Sequence, residues 1–337
     1  MAEVLNNVAA AGSARDKALK RGYGSARIIF HKSSRGTQPI PLEEADTLRS
    51  RGISLEKSPD VCANLMDITW YSRGEWLRYD RTISGHIGED GQKYHLCEPS
   101  GSLIVCTNTS VSIYYNAYDS RAYINSVPVH IFDYNGLMLA FDLSRLYNVV
   151  PQKSNHDLLM GHDISRMVAC EDVHNGIPCI RIEYTRPRRV LSEDKHKDCI
   201  MKYWISPKHG FSIIEYIGRA TTFAGDVPTS EVTSEYSAEY EQAPSASDIW
   251  LLKRLHRRDN IVAEQEMWAE FSNQDVNHDA SPEMFNFQGM GVPWGVPIFD
   301  KRKNGPTEVT EYIDGMYVGL DMININNKYD DSDKSGD

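Results

Sequence analysis

A two-residue rhythm of apolar and polar side chains, running with interruptions from residue 62 to beyond residue 270, restricts this chain more than any other feature. Successive side chains on a β-strand point to opposite faces, so this alternation builds sheets with one apolar and one wet face. Met66, Ile68 and Trp70 alternate with Asp67 and Thr69, and Tyr94 and Leu96 with Lys93 and His95. Val111, Ile113 and Tyr115 continue the pattern. Ile180, Ile182 and Tyr184 alternate with Arg181 and Glu183 after Asn175-Gly176, a two-residue turn signal. Val232, Ser234, Tyr236, Ala238 and Tyr240 share one face, as do Ala263, Met267, Ala269 and Phe271. Thr307-Glu-Val-Thr-Glu-Tyr-Ile313 is expected to meet Met316-Tyr-Val318 across Asp314-Gly315, a second hairpin signal.

Three stretches break the rhythm. Near the N-terminus, Val4, Leu5, Val8 and Ala9 form an apolar helix face, and Ala26–His31 reads as a strand. Pro41-Leu-Glu-Glu-Ala-Asp-Thr-Leu48 has proline at a helix start and acids in the first turn. From Phe132 to Gly161, Leu137, Leu139, Phe141, Leu143, Leu146, Leu158 and Leu159 lack period two and read as a crossing segment with a short helix. Finally, Phe285-Asn-Phe-Gln-Gly-Met-Gly-Val-Pro-Trp-Gly-Val-Pro-Ile-Phe-Asp300 cannot be helical. Pro293 and Pro297 remove backbone donors and the glycines raise the entropy cost, leaving an extended closing piece held by its apolar side chains.

The expected fold class is therefore mainly β (α+β): one large, curved antiparallel sheet, a half-barrel, with a few helices on its concave side. Residues 1–61 are expected to be a helical and strand segment packing on the sheet, 62–320 the half-barrel, and 321–337 a disordered acidic tail. A sheet of many strands twists and curls. Where helices do not fill the curl, an apolar groove remains.

With 337 residues, 41% apolar and 25% charged, the chain can bury a substantial core. A net charge of −11 argues against nucleic acid as partner. The basic clusters Arg186-Pro-Arg-Arg189 and Lys253-Arg-Leu-His-Arg-Arg258 read as solvated strand faces or loops. No apolar run reaches the roughly 18 residues of a transmembrane helix. The N-terminus lacks the basic leader and continuous apolar stretch of a secretory signal. Cys62, Cys97, Cys106, Cys170, Cys179 and Cys199 include no Cys-x-x-Cys, which leaves disulfides or buried free thiols. A tight turn at Asn175-Gly176 would set Cys179 opposite Asp172 and Cys170 opposite Arg181, so those two thiols would bridge only across a wider loop.

No familiar catalytic spacing is present: there is no Gly-x-Ser-x-Gly, no phosphate-binding loop, no His-Glu-x-x-His and no calcium loop. The best metal candidate is His156-Asp157 with His162-Asp163, but that spacing suits neither one helix face nor one strand face. Glu264 and Glu266 share a strand face, as a catalytic pair would, and as the wet side of a strand also would. No catalytic residue, metal or cofactor is assigned. With 18 Tyr, 6 Trp and 9 Phe, aromatics are the remaining feature, either core or cavity lining.

Several blocks resemble the LolA-like lipoprotein-carrier superfamily in its large, planctomycete-type form. Trp76-Leu-Arg-Tyr-Asp80 resembles an early strand of that family and Phe132–Phe141 its crossing segment. Trp204-Ile-Ser-Pro207 with Gly210-Phe211 resembles its mid-chain strand turn, and Ile249-Trp250-Leu251 a later strand, without the usual proline. Phe285–Asp300 resembles its closing block. The likeness covers roughly residues 62 to 313 and implies a half-barrel wrapped over helices, whose cavity holds acyl chains, in a protein that works in the periplasm or otherwise outside the cytoplasm.

The expected function is a non-enzymatic carrier or sensor for an apolar ligand, an acyl chain or lipoprotein. The candidate cavity residues are Ile68, Trp70, Leu96, Val105, Ile113, Ile182 and Trp204. The alternatives are an interaction protein whose filled sheet binds a protein partner and, third, a metal-dependent hydrolase using His156, Asp157, His162 and Asp163.

Overall fold

A computed structural model describes residues 1–32, 61–88, 93–94, 101–106, 112–117, 120–125, 147–149, 153–192, 195–259, 265–301, 308–313, 316 and 318. These are mostly strand. After helix α1 (Ala2–Ala18) come β1 (Arg21–Lys32), β2 (Val61–Arg73), β3 (Trp76–Gly88), β4 (Lys93–Tyr94), β5 (Gly101–Cys106), β6 (Ser112–Asn116) and β7 (Arg121–Asn125). A short helix, α2 (Asn155–Met160), precedes β8 (Met167–His174), β9 (Ile177–Ser192), β10 (Lys195–Ser206) and β11 (Ser212–Ala224). Then follow β12 (Val227–Ala243), β13 (Ala246–Asp259), β14 (Gln265–Asp275), β15 (Pro297–Lys301) and β16 (Glu308–Glu311).

All belong to one open sheet in the order β16-β15-β7-β6-β5-β3-β2-β1-β14-β13-β12-β11-β10-β9-β8, with β4 beside β3. The expectation of one large, mainly antiparallel sheet holds. The departure is β15, which lies parallel to β7 because the closing piece runs back along the sheet before pairing. Two meanders make the sheet, β1 to β7 and β8 to β14, and they join where β1 pairs with β14. The strand read at Ala26–His31 is thus an interior member of the sheet, between β2 and β14. The segment 41–48 and the tail 321–337 lie outside the described residues, as do Asp314 and Gly315 of the second hairpin signal. In the structure, β16 pairs with β15.

Period two translates directly into burial. Met66, Ile68 and Trp70 are buried between half-exposed neighbours, and Tyr236, Ala238 and Tyr240 alternate with exposed Ser237 and Glu239. The Asn175-Gly176 turn has both residues at positive φ, 50° and 78°, as a tight hairpin requires. Its register pairs Cys170 with Arg181 and Asp172 with Cys179, so Cys170 and Cys179 stand apart as free thiols. Gly24 lies opposite Trp70, whose indole covers it so closely that a Cβ there would come within 2.7 Å of the ring. Each large side chain buried this way contributes about 1.5–3 kcal/mol.

The apolar side chains form two clusters. The larger takes residues from α1, β1–β3 and β8–β14, and α1 packs on β1, β11 and β13 through Leu5, Val8 and Leu19. The smaller joins Ile104, Ile113, Ala122 and Ile124 to the closing piece, whose Phe285, Phe287, Met290, Val292, Val296 and Ile298 are buried as its composition demands. Buried Arg78 of β3 ties this piece down by donating to the carbonyls of Met284 (2.8 Å) and Gly289 (2.7 Å) while pairing with Asp80. Thus Trp76–Asp80 and Phe285–Asp300 lock together through one guanidinium. Arg78→Met leaves two part-buried hydrogen bonds to carbonyls and one to a carboxylate without their donor. We expect a loss of about 3 kcal/mol in urea unfolding, with the emission change of Trp294 preceding that of the main cluster.

Candidate ligand cleft

Helix α1 carries Glu3 in its first turn and Arg15 and Lys17 in its last, an arrangement that complements the helix dipole. Leu5, Val8, Gly12, Arg15 and Leu19 recur at three- and four-residue intervals, so they share one stripe of the helix. That stripe faces the sheet and carries Arg15 into the interior, where it is only 7% exposed. Its guanidinium carbon lies 4.3 Å from the centroid of the Tyr147 ring. Nη1 donates to Ser212 Oγ at 3.4 Å, at the start of β11, and the buried Nε has no hydrogen-bond partner among the described residues. A cation over an aromatic face gains up to about 2 kcal/mol, while desolvating it costs several kcal/mol.

Tyr147 belongs to a cluster of buried tyrosines. Its hydroxyl accepts from the Leu252 amide at 3.2 Å, Tyr236 and Tyr240 share a hydroxyl contact at 3.2 Å, and Tyr240 donates to the Ile213 carbonyl at 3.1 Å. Burial pushes all three phenols well above their ordinary range, so they stay neutral. On the far side Arg257 lies over Tyr236 and donates to the Asn148 carbonyl, and burial lowers its pKa. The reading of residues 253–258 as a solvated face therefore fails at Arg257. Period two places it on the inward face with Leu255, and its long stem carries the charge in beneath the tyrosines.

The segment around Tyr147 is positioned by Asn155, which accepts from the Val149 amide (2.9 Å) and donates to the Tyr147 carbonyl (3.0 Å). Asn155 opens α2, which is capped by Ser154 accepting from the Asp157 amide at 3.0 Å. Between α1, this segment and the β11 entrance lies a half-open cleft of about 430 Å³. Apolar Val8, Ala9, Ala11 and Phe211 line it together with polar Ser13, Asn148, Ser154, Asn155, His156 and Ser212 and charged Arg15, Asp16, Lys17 and Lys20.

Ile68, Trp70, Ile182 and Trp204, expected to line a cavity, lie buried in the larger cluster on which α1 also packs, and Ile113 is buried in the smaller one. Leu96 and the side chain of Val105 fall outside the described residues. None of the five that are described lines the α1 cleft. Arg15 and the tyrosine cluster were not among the expected site residues, because the helix and the strand were read for their apolar faces; the α1 spacing and the shared face of Tyr236 and Tyr240 carried the signal.

The His156–Asp163 stretch is engaged locally. Asp157 bonds back to Ser154, Asp163 caps a short 3₁₀ turn through Ser165, and His162 Nε2 lies 2.8 Å from Tyr203 Oη while its ring stacks on Tyr184. Glu266 contacts His256 Nε2 at 2.7 Å, and Glu264 lies outside the described residues. Among the described residues, no three His, Cys, Asp or Glu side chains converge.

Burial, then nearby cations, lowers the pKa of His162, and burial lowers that of His209. Both are neutral at pH 7 folded and unfolded. Below about pH 6.5 the unfolded chain takes up protons that the native histidines resist, so stability falls as pH drops through that value. Asp157, Asp163, Asp172 and Asp198 have lowered pKa values, so their contribution is lost only below the ordinary Asp value of 3.8. Urea midpoints measured from pH 7 to 5 should therefore decline, and His162→Gln with His209→Gln should flatten that decline.

No family model matches this chain, and no curated protein matches it. Among solved structures it is similar to the crystal structure of a LolA superfamily protein from Nitrosomonas europaea, at 9% identity and a TM-score of 0.33, over 81% of this chain and 96% of that one. No helix among the described residues is long and apolar enough to cross a membrane.

Proposed function

We propose that this protein is a non-enzymatic carrier or sensor that holds an apolar ligand, an acyl chain or the lipid of a lipoprotein, in the cleft bounded by α1, Asn148, the start of α2 and the start of β11. The observation that carries this reading is the α1 cleft. Its volume of about 430 Å³ falls within the usual range of ligand sites, and part of its lining is apolar. Each buried methylene contributes about 0.8 kcal/mol, so about ten would reach micromolar affinity before ordering costs. The resemblance of the sequence blocks points to work outside the cytoplasm. Native mass spectrometry of the purified protein, followed by organic extraction, should recover an acyl compound at up to one per chain. Protein that neither carries such a compound nor takes up added fatty acid would refute the proposal.

A second reading has its own support: a protein-binding surface at one end of the sheet. Beyond Tyr184 every β9 side chain is exposed, and the β9–β10 and β11–β12 turns lie side by side, since Lys195 pairs with both Ser192 and Ala224, and Ala224 with Val227. Val190 (72% exposed), Leu191 (47%) and Val227 (65%) crowd this end beside Arg188 and Arg189. Such exposed apolar side chains mark contact sites. On this reading, Val190→Asp with Val227→Asp abolishes co-purification of a protein partner and leaves thermal stability within about 0.5 kcal/mol. Retention of the partner by the variant would dismiss it.

A further inference from the structure

We infer that Arg15 receives the oxyanion head group, carboxylate or phosphate, of an apolar-tailed ligand in the α1 cleft. This rests on the ligand-binding reading above and specifies the chemistry of its polar end. Arg15 combines three properties. It is more than nine-tenths buried, it forms part of the cleft wall, and its Nε has no hydrogen-bond partner among the described residues. Its contacts are the Tyr147 ring and one long hydrogen bond from Nη1 to Ser212, and no carboxylate pairs with it among the described residues. A guanidinium has a planar fork of donors suited to carboxylate or phosphate, and out of water it binds an anion far more strongly than at the surface.

The surroundings agree in sign and polarity. Ser13, Ser154 and Ser212 add hydroxyls to the polar wall, and Lys17 stands exposed at the rim. Lys20, also in the wall, is committed to Glu75, and Asp16, exposed on the next position around α1, is the one carboxylate among the cleft's lining residues, so Arg15 and Lys17 leave the described lining net positive. Val8, Ala9, Ala11 and Phe211 provide apolar lining against which a tail would lie. A buried cation and apolar lining in one cleft suit an acidic amphiphile.

The test is isothermal titration of the full chain with decanoate, decyl phosphate, decanol and inorganic phosphate. The inference expects decanoate or decyl phosphate to bind at least about tenfold tighter than decanol, and which of the two binds tighter identifies the head group. Arg15→Gln should abolish that preference, and Lys17→Gln, which removes the same charge from the rim, should change it by less than about threefold. Equal binding of decanol and both anionic amphiphiles to the wild type overturns the role of Arg15 but leaves the apolar-ligand reading standing. Binding of inorganic phosphate alone keeps the anion site and sinks the apolar-ligand reading. Failure of all four probes sinks both. Because the decisive comparison uses wild-type protein, an Arg15→Gln chain that fails to fold does not decide the matter.

Discussion

The pairing of β1 with β14 holds the two halves of the sheet together. Ala26 lies opposite Phe271 and Ile28 opposite Ala269 on one side, while on the other the same residues face Ile68 and Met66. Without this seam, each meander would expose a long edge and half of an apolar face, the arrangement most prone to non-native association. The partners are some 240 residues apart in the chain, so closing the seam carries a large loop entropy that local contacts cannot offset. It is held by side-chain burial on both flanks, and α1 covers the same region by packing on β1, β11 and β13.

The helix that completes this apolar face also puts a charge into it. Leu5, Val8 and Leu19 satisfy the sheet, and the same stripe carries Arg15 against Tyr147, while Arg257 approaches the tyrosines from β13. A core with two guanidiniums and three phenols is less stabilising than an apolar one of the same volume. That expense is easiest to understand where polar groups have work to do at a cleft, and the cleft lies beside them.

Much of the architecture was legible before any coordinates. Met66-Asp-Ile-Thr-Trp70 and Ser234–Tyr240 alternate because each covers one side of a single layer, and a tight Asn175-Gly176 turn imposes the register Cys170 to Arg181. The closing piece announced itself by prolines and glycines that forbid helix. The site was less legible. Period two says which side of a strand Ile182 or Ile113 occupies, but whether that side is filled by other residues or left open depends on elements distant in sequence. Ile113 and Ile182 even belong to different clusters. Arg257 was misjudged because a run of basic residues looks solvated until each is assigned to a face.

By itself the sequence determined the strand faces, the tight turn, the helical start and the extended closing piece, since these follow from backbone geometry and from side-chain patterns a few residues long. Only the tertiary structure decided that β1 enters the middle of the sheet, that β15 runs parallel to β7, and that Arg78 joins the early strand to the closing block. It also decided that Arg15 comes to rest on Tyr147 beside a cleft. Those outcomes depend on which distant surfaces bury one another, and burial is a property of the assembled chain that no short pattern contains.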